Sequence, residues 1–262
     1  MKLRVSLLVF LSLFLCAQRA SSERVTISNV LPRLDQSGAV MDAHDSKILH
    51  VGDTYFWFAA SYGVCSEPQG DTGCAGAKKG GCGFQTDHNV TLFTSPNLRD
   101  WTNHGPVFQA AQSGLTDPVL FCPKVLFNRR TNTWVMWFNP IQGADFTVSY
   151  YAIATSPSPL GPFVLVSRNV TSLAYQNVGD FNLFQDEDGT AYVIYTAHIT
   201  TASKDNVHTH KMSVERLTDD YLSTEGAAGN SGFFGDEYVE APALFRRQVA
   251  GCLLLCVGLL DL

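Results

Sequence analysis

Short apolar runs, rather than a helical period, characterise this chain. Runs rich in Val, Ile, Tyr, Phe and Trp recur between Gly, Asn, Asp and Pro, and few windows keep a 3.6-residue period for three turns. The pattern predicts an all-β protein. The predicted strands cover residues 47–50, 55–61, 90–94, 124–127, 134–138, 149–155, 181–185 and 191–195.

These strands belong to four similar packets along the sequence. The packets DSKIL, CPKVL, DFNLF and EAPAL start at Asp45, Cys122, Asp180 and Glu240, and each has two apolar residues three and four positions after its first residue. In the first three packets, a polar turn and an aromatic-rich strand follow. The packet starts are separated by 77, 58 and 60 residues, the first interval being lengthened by the Cys-rich loop, and recurrent four-stranded units of roughly 40–60 residues are typical of propeller blades. The sequence therefore predicts a β-propeller.

Three of the four packets begin with an acidic residue: Asp45, Asp180 and Glu240. In a propeller the first strand of each blade lines the central channel, so the heads of these strands converge on one pocket. We therefore expect the three carboxylates to face one another although they lie far apart in the chain. Acids elsewhere, such as Asp53, Glu187 and Asp188, fall in predicted turns, where Asp and Gly are favoured for backbone reasons.

Converging carboxylates suit the hydrolysis of glycosidic bonds. One carboxylic acid protonates the leaving oxygen and a second carboxylate activates water when the configuration inverts. A third carboxylate nearby raises the pKa of the acid by repulsion between like charges. Sugar faces stack on aromatic rings, and the aromatic candidates near the strand heads are Trp57, Tyr62 and Trp137. His44 and Asp42 flank the first strand and are further candidates for substrate contact.

The first residues of the chain predict secretion. Residues 1–22 combine Lys2 and Arg4 with a long apolar run and small residues, the layout of a signal peptide. Asn89 and Asn169 begin Asn-Val-Thr sequons for glycosylation. Cys65, Cys74 and Cys82 crowd a Gly-rich loop, where a local disulfide is expected. The formal net charge of −6 argues against nucleic acid or an anionic membrane as partner.

Several motifs in the same order resemble glycoside hydrolase family 43, whose members are five-bladed propellers that remove arabinose, xylose or galactose from plant polysaccharides. They are DSKILHVGDTYFWF, LFTSPNLRDWTNHGPVF, PKVLFNRRTNTWVMWF, IATSPSPLGPF, GDFNLFQDEDGTAYVIYT and EAPALFRR. The resemblance implies that Asp45 is the general base, Glu240 the general acid and Asp180 the residue that modulates the pKa of the acid. The EAPALF and PKV motifs lean toward the galactan-cleaving branch.

The chain also departs from the family pattern. Ala60 stands where a glutamate is expected, Cys122 stands where an arginine is common, and QVAGCLLLCVGLLDL replaces the remaining blades. We therefore expect a C-terminally incomplete propeller with about three blades and the start of a fourth. The predicted organisation is a signal peptide at residues 1–22, an incomplete catalytic domain at 23–246 and an apolar tail at 247–262.

Three functions remain open at the level of sequence, and the one ranked last is a secreted β-repeat protein used only for contacts with other proteins, which leaves the recurring strand-head acids unexplained. The first is a secreted inverting glycosidase that acts on galactan, arabinan or xylan side chains of plant-type or algal polysaccharides. The second is an inactive sugar-binding propeller or a truncated gene product without function. No cofactor and no metal are predicted, because CxxC motifs are lacking and the residues that the resemblance assigns to a channel metal would lie in the missing blades.

Overall fold

The computed structural model describes residues 24–28, 30–62, 89–116, 118–142, 149–199, 209–226, 230–233, 239–246 and 253–259. The predicted signal peptide and the Cys-rich loop with Cys65, Cys74 and Cys82 lie outside these residues. Within the described ranges, no helix is long and apolar enough to cross a membrane.

The described residues form β-strands almost exclusively. A single turn of helix, α1, covers Ala110–Ser113. The strands are β1 Ile48–Val51, β2 Thr54–Ser61, β3 Asn89–Ser95, β4 Thr102–Gln109, β5 Pro118–Asn128, β6 Thr133–Gln142, β7 Ala152–Ser156, β8 Val164–Ser167, β9 Val178–Gln185, β10 Ala191–Ile199, β11 Thr209–Arg216, β12 Asn230–Phe233, β13 Val239–Arg246 and β14 Leu253–Leu259.

Consecutive strands pair into four antiparallel sheets. Blade 1 contains β1 to β4, blade 2 contains β5 to β8, blade 3 contains β9 to β12, and blade 4 contains β13 and β14. Strand β5 contacts both β2 and β9, and β9 contacts β13, so the blades stand side by side in chain order. Three four-stranded blades and the start of a fourth confirm the predicted β-propeller.

The blades pack face to face, and this explains the apolar runs of the sequence. Phe58, Leu120 and Met136 belong to one core between blades 1 and 2, and each is at most 1% exposed. A second core between blades 2 and 3 includes Leu126 and Tyr195. Because neighbouring blades cover both faces of a sheet, its inner strands carry continuous apolar runs rather than a simple alternation.

The predicted strands all exist, but their bounds and number differ. Strand β5 starts at Pro118 rather than at 124, since the chain stays paired with β6 through a register shift between Phe121 and Lys124. The outer strands β4 and β8 were not predicted. Strand β4 contains Gly105 and Pro106, and β8 alternates exposed and partly buried residues, so neither has the apolar run of an inner strand.

The heads of the inner strands contain left-handed residues. Asp45, Cys122 and Ala241 have φ values of 55°, 52° and 49°. Such residues cost of order 1 kcal/mol or more and persist where surrounding structure enforces them. In blades 2 and 4 the left-handed residue coincides with a bulge, which lies between Phe121 and Lys124 and between Glu240 and Ala243.

When the strands are aligned by these two bulges, the packets shift by one residue relative to their alignment by sequence. Ala241 then corresponds to Cys122, and Glu240 corresponds to Phe121. Glu240 therefore precedes the left-handed residue of its strand, whereas Asp45 occupies that position itself. In addition, β14 lies within the predicted apolar tail of residues 247–262, and it pairs with β13 along its length.

Candidate active site

Asp45 is an exposed residue at the head of blade 1. The residue before it, His44, exchanges two backbone hydrogen bonds with Ala60 of β2, at 3.0 and 3.1 Å, which fixes the strand head against the sheet. Tyr62 follows β2, and its hydroxyl donates a hydrogen bond to Asp45 Oδ2. The Asp45 carboxylate thus has a fixed protein donor on one oxygen while the residue stays open to solvent, as a base that activates water requires.

Asp42 completes the cluster around Asp45. Its Oδ1 lies 3.0 Å from His44 Nε2 and accepts the backbone N–H of Tyr62 at 3.1 Å. The His44 ring lies 4.6 Å from the Tyr62 ring, centroid to centroid. The hydrogen bond that His44 donates to Asp42 raises the pKa of His44 against the opposing effect of burial. Burial, followed by the Asp45 charge, raises the pKa of Tyr62, so its hydroxyl stays a donor.

Two lysines, the buried Lys124 and the half-buried Lys47, lie below the strand heads. Lys124 Nζ donates to the backbone carbonyl of Asp45 at 2.7 Å, and Lys47 Nζ donates to the carbonyl of Leu183 at 2.6 Å. Each lysine therefore links its own blade to another one. Burial lowers the pKa of both ammonium groups, and that of Lys47 falls to about 8, with a further contribution from the positive charge of Lys124.

Asp180 holds the contact between blades 2, 3 and 4. Its Oδ1 accepts the thiol of Cys122 at 3.7 Å, and its Oδ2 accepts the backbone N–H of Ala241 at 3.0 Å. Burial raises the pKa of the Cys122 thiol to about 12, so the sulfur carries a proton to donate. Both oxygens of Asp180 are thus fixed, and the second bond comes from the residue next to Glu240.

A cavity of about 220 Å³ lies beside these residues. Asp180, Glu240 and Cys122 all line it, and the negative charges of both Asp180 and Asp45 contribute to the raised pKa of the Cys122 thiol. Asp45 itself does not line this cavity. The remaining lining residues are Phe121, Asn139, Ile141, Ser149, Val178 and Gly179.

A larger cavity, of about 580 Å³, lies at the other ends of the strands, among the turns of blades 2 and 3. Asp180 and Gln185 are five residues apart on β9, which separates the two cavities by about 16 Å. Charged side chains at the larger cavity pair with one another, Arg130 with Asp219 at 2.6 Å and Arg246 with Asp186 at 2.5 Å. We therefore place the candidate chemistry at the smaller cavity.

Two of the aromatic candidates, Trp57 and Trp137, lie away from this cavity. Trp137 is 0% exposed and lies in the core between blades 2 and 3, where its indole N–H donates to the carbonyl of Tyr221 at 2.8 Å. Trp57 packs against Trp101 at 5.3 Å with the Arg33 guanidinium over its ring, in a cluster that does not line the cavity. Trp137 thus faces the neighbouring blade, whereas Trp57 packs against residues of its own blade.

Tyr62 and His44 do lie at the site, with a different role for Tyr62. The Tyr62 ring is 6% exposed and packs on His44 and Phe121, so it offers no open face for a sugar. Its hydroxyl orients Asp45 instead. His44 is half-buried beside it and keeps its place as a candidate for substrate contact.

In the described part of the chain, no group of three or more His, Cys, Asp or Glu side chains is close enough to hold a metal ion. Nor does the cavity contain a cluster of backbone amides or basic side chains typical of a phosphate-bearing cofactor. The site therefore offers carboxylates, a thiol and an amide for hydrogen bonds and proton transfer.

The sequence profile of the glycosyl hydrolases family 43 matches residues 39–254, which include every strand head described above. The chain belongs to glycosyl hydrolase family 43. This assignment confirms the resemblance that the strand motifs indicated. No curated protein matches the chain at a significant level.

Solved structures similar to this family 43 chain include exo-β-1,3-galactanases and β-1,3-galactosidases. An exo-β-1,3-galactanase from Phanerochaete chrysosporium with β-1,3-galactotriose has a TM-score of 0.63 and 22% identity, over 88% of this chain and 47% of its own. An exo-β-1,3-galactanase from Clostridium thermocellum has a TM-score of 0.62 and 24% identity, over 85% and 44%. A family 43 β-1,3-galactosidase with galactodeoxynojirimycin has a TM-score of 0.66 and 22% identity, over 88% and 77%.

At these identities the likeness of the family 43 structures shows the fold. Family 43 structures are five-bladed propellers, and this chain is part of one. It spans less than half of the length of both galactanases and 41% of a further family 43 β-1,3-galactosidase.

Sequence reasoning missed three groups that shape this family 43 site. Asn139 had no signal, since it merely follows the aromatic run WVMWF. Cys122 was noted as the start of a packet and as a departure from the family pattern, without a role at the site. The shared motif of Lys two residues after Asp45 and after Cys122 was the available signal for the lysine pair.

Proposed function

We propose that this chain is a glycoside hydrolase that removes terminal sugar units from a plant-type or algal galactan, with β-1,3-linked galactan as the substrate class. The observation that carries the proposal is the pair of carboxylates, Asp180 and Glu240, which come from different blades and line one cavity. Membership of family 43 supports hydrolysis, and the galactan enzymes among the similar structures support the sugar.

Each carboxylate has a distinct environment that suits a distinct role. Glu240 lines the cavity and acts as the general acid that protonates the leaving oxygen. Asp180 stays close to it through the Ala241 N–H, and it acts to orient the acid. Asp45 is exposed and held by Tyr62, and it acts as the general base for water. This division corresponds to an inverting mechanism.

We further propose that the protein is secreted and glycosylated. The N-terminal segment has the layout of a signal peptide, and both sequons lie at described positions. Asn169 is exposed beyond β8, so its side chain is accessible for a glycan, while Asn89 is half-buried at the start of β3. The proposed partner is a polysaccharide or oligosaccharide.

The proposal is tested with the full chain and three single substitutions. Incubation with β-1,3-galactan, arabinan and xylan identifies the sugar released, and proton NMR of the first product identifies its anomer. We expect Asp45→Asn and Glu240→Gln each to lower turnover of galactan by about 100-fold or more, since general acid and base catalysis contribute about 10² to 10⁴. Asp53→Asn, in the exposed turn between β1 and β2, is the matched control and should retain wild-type rates.

An activated substrate separates the acid from the base. An aryl β-galactoside with a good leaving group needs little protonation, so Glu240→Gln should recover activity on it while Asp45→Asn should not. Equal loss on both substrates in Glu240→Gln would remove the general acid role from Glu240. Wild-type turnover of galactan by Asp45→Asn would remove Asp45 as the base.

A sugar-binding protein without hydrolysis is the second candidate. Ala60 and Cys122 replace residues expected in active relatives, and Asp45 does not line the cavity that Asp180 and Glu240 share. Binding of galactan oligosaccharides by the folded chain without any release of reducing sugar would select this candidate.

A further inference from the structure

Asn139 is a buried amide whose hydrogen bonds are incomplete. It lies near the end of β6 and is 5% exposed. Its Nδ2 donates to the hydroxyl of Ser149 at 2.7 Å. Its Oδ1 is buried and accepts no hydrogen bond from any residue in the described ranges. A buried acceptor without a donor is unfavourable, so such a group in a folded protein calls for an explanation.

The position of Asn139 offers that explanation. Asn139 is the strand partner of Phe121, the residue before Cys122, and it lines the same cavity as Asp180 and Glu240. Ser149, which holds the amide, is 8% exposed and lines the cavity as well. The unpaired amide oxygen and the two carboxylates therefore belong to one pocket wall, formed by three different blades.

The chemistry of the wall selects a neutral ligand that bears hydroxyl groups. Both oxygens of Asp180 already accept hydrogen bonds from the protein, so a metal ion at this wall would displace Cys122 or Ala241. The cavity of about 220 Å³ corresponds to about seven water molecules, far more than one cation needs. A sugar hydroxyl can donate a hydrogen bond to the amide oxygen of Asn139. If the Asn139 amide is flipped so that its nitrogen faces the cavity, the same hydroxyl can accept a hydrogen bond instead.

We propose that Asn139, held by Ser149, binds one hydroxyl of the terminal sugar unit and selects for sugars that carry it. This inference rests on the proposed function for the identity of the ligand, a galactose unit. It adds a specificity residue on blade 2 to the carboxylates of blades 1, 3 and 4. A sugar that lacks the hydroxyl leaves the amide oxygen unpaired, and sites built around a hydroxyl reject such analogues strongly.

Calorimetric titration of the full chain with D-galactose and with its 2-, 3-, 4- and 6-deoxy derivatives tests the inference. We expect one of the four derivatives to bind the wild type at least tenfold more weakly than galactose. In Asn139→Ala, galactose should bind as weakly as that derivative does, and the two ligands should no longer be distinguished. Asn139→Ser, which keeps a small polar group, provides a second variant should the alanine variant lose its fold.

Asn182 provides the matched control. Its side-chain oxygen is also buried without a partner among the described residues, but Asn182 does not line the cavity. Asn182→Ala should keep the full discrimination between galactose and the deoxy derivative. Thermal denaturation of all variants checks that changes in affinity do not reflect unfolding.

The outcomes separate this inference from the proposed function. Discrimination that depends on Asn139, in a protein that hydrolyses no galactan, supports the inference and rejects the hydrolase. Hydrolysis of galactan with unchanged discrimination in Asn139→Ala rejects the inference and leaves the hydrolase. Folded wild-type protein that binds none of the sugars, or that binds Ca²⁺ through Asn139 instead, overturns the inference.

Discussion

The thiol of Cys122 donates a hydrogen bond to Asp180 Oδ1 across the boundary between blades 2 and 3, with a sulfur to oxygen distance of 3.7 Å. The other oxygen of Asp180 binds the backbone of Ala241 in blade 4. Three blades thus meet at one carboxylate, and its orientation depends on a side chain that differs from the arginine common in the family. The contact makes Cys122 a positioning residue for the proposed chemistry.

Removing the hydrogen bond from Cys122 to Asp180 should lower kcat. Cys122→Ala removes the donor, and we expect kcat on galactan to fall about tenfold, since one hydrogen bond to a charged group contributes about 1.5 kcal/mol. Cys122→Ser keeps a donor and should retain most of the activity. The pH dependence of kcat is the decisive measurement, because the altered Asp180 carboxylate shifts it in Cys122→Ala only. Identical rates and pH profiles in both variants would contradict this role.

The hydroxyl of Tyr62 should matter more for activity than for stability. Tyr62→Phe removes the donor to Asp45 but keeps the buried ring, and Asp45 retains access to water. We expect a loss of about 1 kcal/mol in the free energy of unfolding and about a tenfold loss in kcat. Tyr55→Phe is the control, since the Tyr55 ring stacks on His50 at 4.3 Å, away from Asp45. Equal activity losses in both variants would argue against the positioning of Asp45 by Tyr62.

Lys47 should make the fold more stable as the pH rises from 7 to 9. Its pKa falls from 10.5 to about 8 on folding because the ammonium is buried near Lys124. The unfolded chain therefore binds more protons than the folded chain above pH 8, and the free energy of unfolding increases with pH there. The effect is measured as the difference in melting temperature between wild type and Lys47→Met at pH 7, 8 and 9.

Cys122 limits the pH range over which the free energy of unfolding increases. Burial raises the pKa of its thiol to about 12 from 9.0, so the thiol keeps its proton in the folded chain after the unfolded chain has lost it. Above pH 9 this group lowers stability and opposes Lys47. A difference between wild type and Lys47→Met that does not change between pH 7 and 9 would show that Lys47 is solvated in the folded protein.

Trp137 should contribute to stability without contact to substrate. Trp137→Phe leaves a cavity between blades 2 and 3 and leaves the buried carbonyl of Tyr221 without its donor. We expect a loss of about 2 to 3 kcal/mol in the free energy of unfolding, measured in urea, and an unchanged KM for galactan. Trp57→Phe, at a half-buried position, should cost about 1 kcal/mol or less. A raised KM in Trp137→Phe would restore the predicted contact with sugar.

The architecture was predictable because each blade is a local structure. Inner strands buried on both faces require continuous apolar runs, and their hairpins require polar turns, so the packets at Asp45, Cys122, Asp180 and Glu240 marked four blades. Asp180 and Glu240 line one cavity because propeller geometry brings strand heads together, whereas Asp45 does not line it. Outer strands such as β8 carry weaker patterns, because one face of the last strand meets solvent.

The details of the site were not predictable because they depend on backbone geometry. A left-handed residue and a bulge shift Glu240 by one position relative to Asp45, and neither Cys122 nor Ala241 is a residue type that signals positive φ. The placement of two aromatic candidates was not predictable for a related reason. An aromatic ring on an inner strand packs against its own blade, as Trp57 does, or against the next blade, as Trp137 does, and the sequence does not distinguish these directions from one toward the pocket.

The difference between contacts within a sheet and contacts between sheets has a consequence for denaturation. Each sheet is held by hydrogen bonds between strands that are neighbours in the chain, whereas the contacts from Cys122 and Ala241 to Asp180 cross from one sheet to the next. A small rotation of one sheet against its neighbour would separate the carboxylates and leave the strands intact. Sugar binding should therefore vanish at lower urea concentrations than the far-ultraviolet circular dichroism signal, and the interval between the two midpoints measures how firmly the sheets adhere.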